Sequence, residues 1–208
     1  MKELFDTMIR TEIQPFLKKY GYKKIKQYFY KSVNDLVFII HFNLSSRNGW
    51  GITRFYVQSK IYSKEIDRII GKSELNEPKN DEPHYNLKDE YFPVNGYNIE
   101  EKTDIEKMAT EIKSGLENHE QFFNTIKTTN DLMGKMVMEN YLHKYIEIFT
   151  YLLVKDETKK LKEYIKRLYD SFGKENRWKI FEENMNKILV KKNFRFKKQA
   201  KSSTGYKT

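Results

Sequence analysis

Three observations, taken in chain order, predict an α+β fold for this chain. An apolar helical period opens it, three strand-like runs separated by turn signals follow, and helical stripes fill the second half. The expected division is an α+β domain over 1–97, a helical region of about four helices over 98–196, and a disordered basic tail over 197–208.

In the opening helix Leu4, Phe5, Met8, Ile9, Ile13, Phe16, Leu17 and Tyr20 recur at helical spacing, and Gly21 stands where a C′ glycine would end the pattern. Pro15 has no N–H and leaves the carbonyl of Thr11 without its helical donor, so a kink is expected there.

The strand-like runs are "IKQYFYKS", "DLVFIIHFNL" and "GITRFYVQSKIYS". Asn48-Gly49 between the second and third is a strong hairpin signal, because a type I′ turn needs positive φ at both central residues. Taking those two as the loop pairs Phe42 with Phe55, Ile40 with Val57, Phe38 with Ser59 and Leu36 with Ile61 on one face. The other face then pairs Asn43 with Arg54, His41 with Tyr56 and Ile39 with Gln58. A second turn at Asn34-Asp35 sets Phe29 beside Ile40 and completes a three-stranded antiparallel meander packed on the first helix.

The second face of this meander carries Tyr28, Tyr30, His41, Arg54, Tyr56, Gln58 and Lys60. Aromatic and basic groups on a sheet can grip an acidic partner or stack nucleic-acid bases, and these seven are the partner-binding candidates. The competing reading is that the C-terminal helices cover the face, with its hydroxyls satisfied in a semi-polar interior.

Prolines at 78, 83 and 93 mark residues 71–98 as a long irregular connection with one edge strand in "HYNLKDEYF". Thr103 and Glu106 form a capping box ahead of a stripe made by Ile105, Met108, Ile112, Leu116, Phe123 and Ile126. Residues 130–153 read as a second helix, and Leu161, Tyr164, Ile165, Leu168 and Phe172 as a third, stopped by Gly173. Trp178, Phe181, Met185, Ile188 and Leu189 read as a fourth.

The stretch from "PFLKKYGYKK" through "FYKSVNDLVFIIHFN" to "FYVQSKIYSKEI" resembles an uncharacterised bacterial family catalogued as a domain of unknown function. The resemblance spans roughly residues 1–66 and implies an α+β domain with no activity to carry over. The chain departs from that pattern at His41-Phe42-Asn43-Leu44, where members have Asn-Phe-Gln-Lys, and in its longer helical half.

No catalytic constellation is legible. With no cysteine, thiol catalysis, disulfides and cysteine zinc sites fall away together. The four histidines are 41, 84, 119 and 143, and the best metal-ligand spacing is Glu139, His143 and Glu147 at i, i+4 and i+8, which also describes a polar helix face. Gly49-Trp50-Gly51 is too short for a dinucleotide fingerprint, Ser45-Ser46 lacks a nucleophile elbow, and His41 opposite Tyr56 is the one candidate base. Neither a cofactor nor an enzymatic activity is expected.

The formal charge of +10 is localised: residues 155–208 hold 17 basic and 7 acidic side chains, which is the entire excess. Lys187, Lys191, Arg195 and Lys198 recur as a helical stripe, and with Lys192 and Lys197 they are the nucleic-acid candidates. Charges inside the first apolar stretch are unlike a secretory signal, and no run of about 18 apolar residues occurs, so a cytoplasmic protein without a membrane span is expected. The function expected is non-catalytic binding of another protein, toxin-neutralising immunity being one form. The alternative is a nucleic-acid module using the basic stripe and the sheet face.

Overall fold

Helical entry into the chain is adjusted around one proline. In the computed structural model, which describes residues 1–49, 51–88 and 90–202 with side chains to residue 190, α1 (Lys2–Met8) and α2 (Gln14–Lys19) are joined by a π-helical segment, Ile9–Ile13. Pro15 sits in the first turn of α2, where a missing N–H costs least, and the wide turn ahead of it absorbs the lost donor. The helix closes as expected: Gly21 has φ +88°, and Tyr22 N–H returns to the Leu17 carbonyl at 3.2 Å.

The strands are β1 (Lys23–Ile25), β2 (Tyr28–Val33), β3 (Leu36–Leu44), β4 (Thr53–Ser63), β5 (Tyr85–Asn86) and β6 (Tyr97–Ile99). They form a six-stranded antiparallel sheet in the order β1-β2-β3-β4-β5, with β6 also on β4. The fold is α+β, and the expected meander is its centre. Asn34, at φ +54°, makes the β2–β3 turn, and Phe29 faces Ile40 as expected.

The β3–β4 register differs from the expected one by two residues. Phe42 pairs with Val57, Ile40 with Ser59, Phe38 with Ile61 and Leu36 with Ser63. The tight turn lies after Asn48-Gly49 rather than on it: Gly49 bridges Ile52, and Gly51 carries the positive φ of +87°. Asn48 instead clasps β4 through its side chain, accepting from Arg54 N–H at 2.8 Å and donating to the Arg54 carbonyl at 3.0 Å. A slip of two keeps every side chain on its face, so the apolar alternation could not distinguish the two pairings.

One face of the sheet carries Phe29, Phe38, Ile40, Phe42, Phe55, Val57 and Ile61, all buried. Phe5 of α1 packs on Phe55 at 4.9 Å between ring centroids, and Phe123 of α4 (Ile105–Phe123) on Phe38 at 4.7 Å. Lys31 on the same face pairs with Glu120 of α4, which also accepts from the Tyr22 hydroxyl. The ammonium lies 5.0 Å from the Tyr22 ring centre and 5.5 Å from that of Phe38. Burial first, then the charge of Glu120, push the Tyr22 phenol well above its usual pKa.

Two compact units divide the chain, residues 1–68 with 72–132, and residues 69–71 with 133 onward. The first unit therefore reaches beyond residue 97 and includes α4. Asp104, one residue after the expected Thr103, caps α4 by accepting from Lys107 N–H at 3.0 Å.

Beyond α3 (Lys64–Ile70) and α4 come α5 (Thr129–Met138), α6 (Tyr145–Val154), α7 (Thr158–Phe172) and α8 (Trp178–Ser202). The single helix expected over 130–153 is two. Asn140 turns to φ +54° after α5, with Tyr141 N–H closing on the Met136 carbonyl at 2.9 Å. In the second unit Phe181 meets Tyr145 at 4.9 Å and Phe172 at 6.1 Å, and Tyr164 donates to the Tyr141 carbonyl at 2.8 Å. The last helix continues to Ser202, past residue 196.

Candidate functional site

Period-two alternation places Tyr28, Tyr30, His41, Arg54, Tyr56, Gln58 and Lys60 on the second face of the sheet, as expected. Within the first unit that face is covered in part, and the cover is the irregular segment after α3. Tyr30 donates to the Pro78 carbonyl at 3.3 Å, Tyr28 to Asn80 Oδ1 at 3.1 Å, and Lys60 Nζ to the Asn80 carbonyl at 3.1 Å. Tyr62 accepts from Leu75 N–H at 2.8 Å and donates to Asp67 at 2.7 Å. Leu75 also packs on the cluster of Tyr30, Val37, Ile39 and Tyr62. The tyrosine hydroxyls thus hold an otherwise irregular strap, which supplies hydrogen-bond partners to this face from within the first unit.

His41 lies at the centre of the covered part, 6% exposed, its ring stacked on Tyr28 at 3.9 Å. Burial first, then the charge of Lys60, lower its pKa to about 4 against an opposing hydrogen bond to Gln58. Its Nδ1 has no partner among the described residues. The register slip also parts His41 from Tyr56: Gln58 stands opposite His41, and Tyr56 opposite Asn43. The expected His41–Tyr56 pair is therefore not formed. With Tyr30 buried and Tyr28 half-buried, these two rings are not an open stacking platform either.

The other end of this face is uncovered. Ile52 is 42% exposed, Arg54 is exposed, and Tyr56 and Gln58 are half-buried. Arg54 Nε donates to Asn98 Oδ1 at 2.8 Å, which aims the guanidinium along β6. Tyr56 rests on the 93–96 turn, where a Cβ on Gly96 would lie 2.9 Å from its ring and 2.5 Å from the Phe55 carbonyl. The same turn presents Val94, 85% exposed. Sequence reasoning missed Val94, although an apolar residue between Pro93 and Asn95-Gly96 is itself a signal of an apolar turn tip.

Other polar groups meet inside the first unit. Ser59 Oγ is 2.5 Å from His119 Nδ1, both are buried, and Phe92 packs edge-on to the imidazole. Burial lowers the His119 pKa to about 4. His84 Nδ1 accepts from Ser63 N–H at 3.1 Å while Nε2 faces Asp67 at 3.3 Å, and Ser63 Oγ bonds Thr129 at 2.8 Å. That geometry ties β4, α3 and the start of α5 together.

Glu139, His143 and Glu147 do not share a helix face. Glu139 follows α5, His143 lies in the linker and Glu147 in α6, paired respectively with Lys135 at 3.0 Å and, for Glu147, Lys144 at 4.0 Å. Among the described residues no three His, Asp or Glu are grouped to hold a metal ion. Lys187 is exposed on α8, whereas the side chains of Lys191, Lys192, Arg195, Lys197 and Lys198 lie outside the described residues. No helix among the described residues is long and apolar enough to cross a membrane.

Fold and surface define an α+β protein with a strapped antiparallel sheet and one open, aromatic-basic end. The chain belongs to the family described as Domain of unknown function (DUF4304), whose model matches residues 13–183. The match runs well beyond residue 66 into the helical half. No curated protein and no solved structure matches the chain.

Proposed function

We propose that this chain is a non-catalytic cytoplasmic protein that acts by binding another protein through the open end of its sheet. The observation that supports this reading is the group Ile52, Arg54, Tyr56 and Val94. An arginine and a tyrosine stand beside exposed apolar side chains, rimmed by Asn43, Asn98 and Gln58. Arg and Tyr are the residue types that most often anchor protein interfaces, and an exposed apolar group with a polar rim is the usual composition of such a site. Toxin neutralisation is one role that fits, since an immunity protein needs a surface and no chemistry.

The test is affinity capture of the tagged chain from its own host after nuclease treatment, run in parallel with Arg54→Ala and Tyr56→Ala. The reading expects a protein retained through nuclease treatment and depleted by either substitution. Species lost to nuclease, or retained equally by both variants, would contradict it.

A further inference from the structure

Outside the open sheet end, the least explained surface is the outer face of α7. Leu161, Tyr164 and Leu168 turn inward and are buried. Lys159, Lys162 and Lys166 recur at i, i+3 and i+7 on the opposite side, all exposed, and Tyr169 continues the row at i+10. Among the described residues none of the three lysines makes an ion pair, whereas neighbouring Arg167 is neutralised by Glu163 at 2.8 Å. Tyr169 is 56% exposed and stands edge-on to Trp178 at 5.2 Å. Arg177 stacks on Phe172 at 4.5 Å, and Lys174 and Lys179 flank the same turn. A row of three cations about 10 Å long, unpaired among the described residues, thus leads to an exposed aromatic group.

We propose that this face binds single-stranded nucleic acid, with Lys159, Lys162 and Lys166 on successive phosphates and Tyr169 stacking an unpaired base. The cations supply affinity by releasing counterions, and the aromatic ring supplies preference for a strand whose bases are free. A paired duplex offers Tyr169 no free base face. A lipid surface calls for an apolar stripe between the cations, and here Glu163 and Asp170 border the row. This site lies in the second unit and does not depend on the protein-binding reading, which rests on the first.

The measurement is fluorescence anisotropy of a labelled 16-nucleotide oligo-dT against the full chain, with heparin and phosphatidylserine-containing vesicles as competitors. K159E/K162E/K166E is expected to lose at least tenfold in affinity and about two units of log-log salt slope, three contacts at roughly 0.7 each. Y169A is expected to lose about tenfold for oligo-dT, in line with stacking losses, and nothing for heparin. K159Q/K162Q/K166Q gives the same direction should the charge reversal unfold the chain. Oligonucleotide binding that survives the lysine changes, a Y169A effect that is absent or equal for heparin, or vesicles that displace oligo-dT at matched charge would each overturn the assignment.

Discussion

His41 and His119 are both held neutral by burial, with pKa values lowered to about 4. In the unfolded chain each titrates near 6.5, so above that pH neither state carries the proton and stability is independent of them. Between about pH 6.5 and 4 the unfolded chain takes up protons first, and each histidine removes about 1.4 kcal/mol per pH unit, roughly 3 kcal/mol apiece across that window. Below about pH 4 both states are protonated and the loss stops. Denaturant unfolding between pH 7 and 5, where most carboxylates remain ionised, is expected to show this slope. Replacing His41 by Phe, which keeps a ring on Tyr28, is expected to remove about half of it. Lys31 and Glu120 form the other costly pair. Glu120→Gln leaves Lys31 uncompensated beside Tyr22 and Phe38 and is expected to lower stability by about 3–5 kcal/mol. The double change Lys31→Met with Glu120→Leu should recover most of that loss, which a pair of urea unfolding curves checks.

The segment over the second sheet face is held by the hydroxyls of Tyr28, Tyr30 and Tyr62, so Tyr28→Phe with Tyr30→Phe is expected to cost about 1 kcal/mol per bond. Tryptic cleavage at Lys72 and Lys79 should then quicken several-fold while β3 amides keep their protection. Gly96→Ala forces a side chain onto φ +72° and against the Phe55 carbonyl, and it is expected to cost about 1–3 kcal/mol with loss of Tyr56 ordering. The strap was not legible in sequence, because what fixes it includes bonds from the Tyr28 and Tyr30 hydroxyls to Asn80 and Pro78, about fifty residues away, which no local period records. The faces of β2, β3 and β4 were legible, because alternation survives a register slip of two. The register was not, because Asn48 spends its side chain on Arg54 while Gly51 supplies the turn. The break at Asn140 was hidden for a similar reason: residues 130–153 keep a helical apolar period through a left-handed residue.

Charge and surface decide what the protein meets. The excess of ten positive charges belongs to residues 155–208, and the part of it on α7 has a structural context of its own, whereas residues 1–154 balance 22 basic against 22 acidic side chains. The candidate face divides accordingly: Tyr28, Tyr30, His41 and Lys60 lie at the strap, and Arg54 and Tyr56 are the two residues that the proposal assigns to a partner. That division separates folding from binding and can be read in one comparison. Once a captured protein is in hand, titration calorimetry of the wild type and of Arg54→Ala and Tyr56→Ala, each with its thermal midpoint, gives both quantities. The account predicts a loss of about 1–4 kcal/mol in binding for each variant, as is usual for arginine and tyrosine anchors, at a midpoint within a few degrees of wild type. Unchanged affinity, or a loss of affinity that follows a collapse in the midpoint, would contradict it.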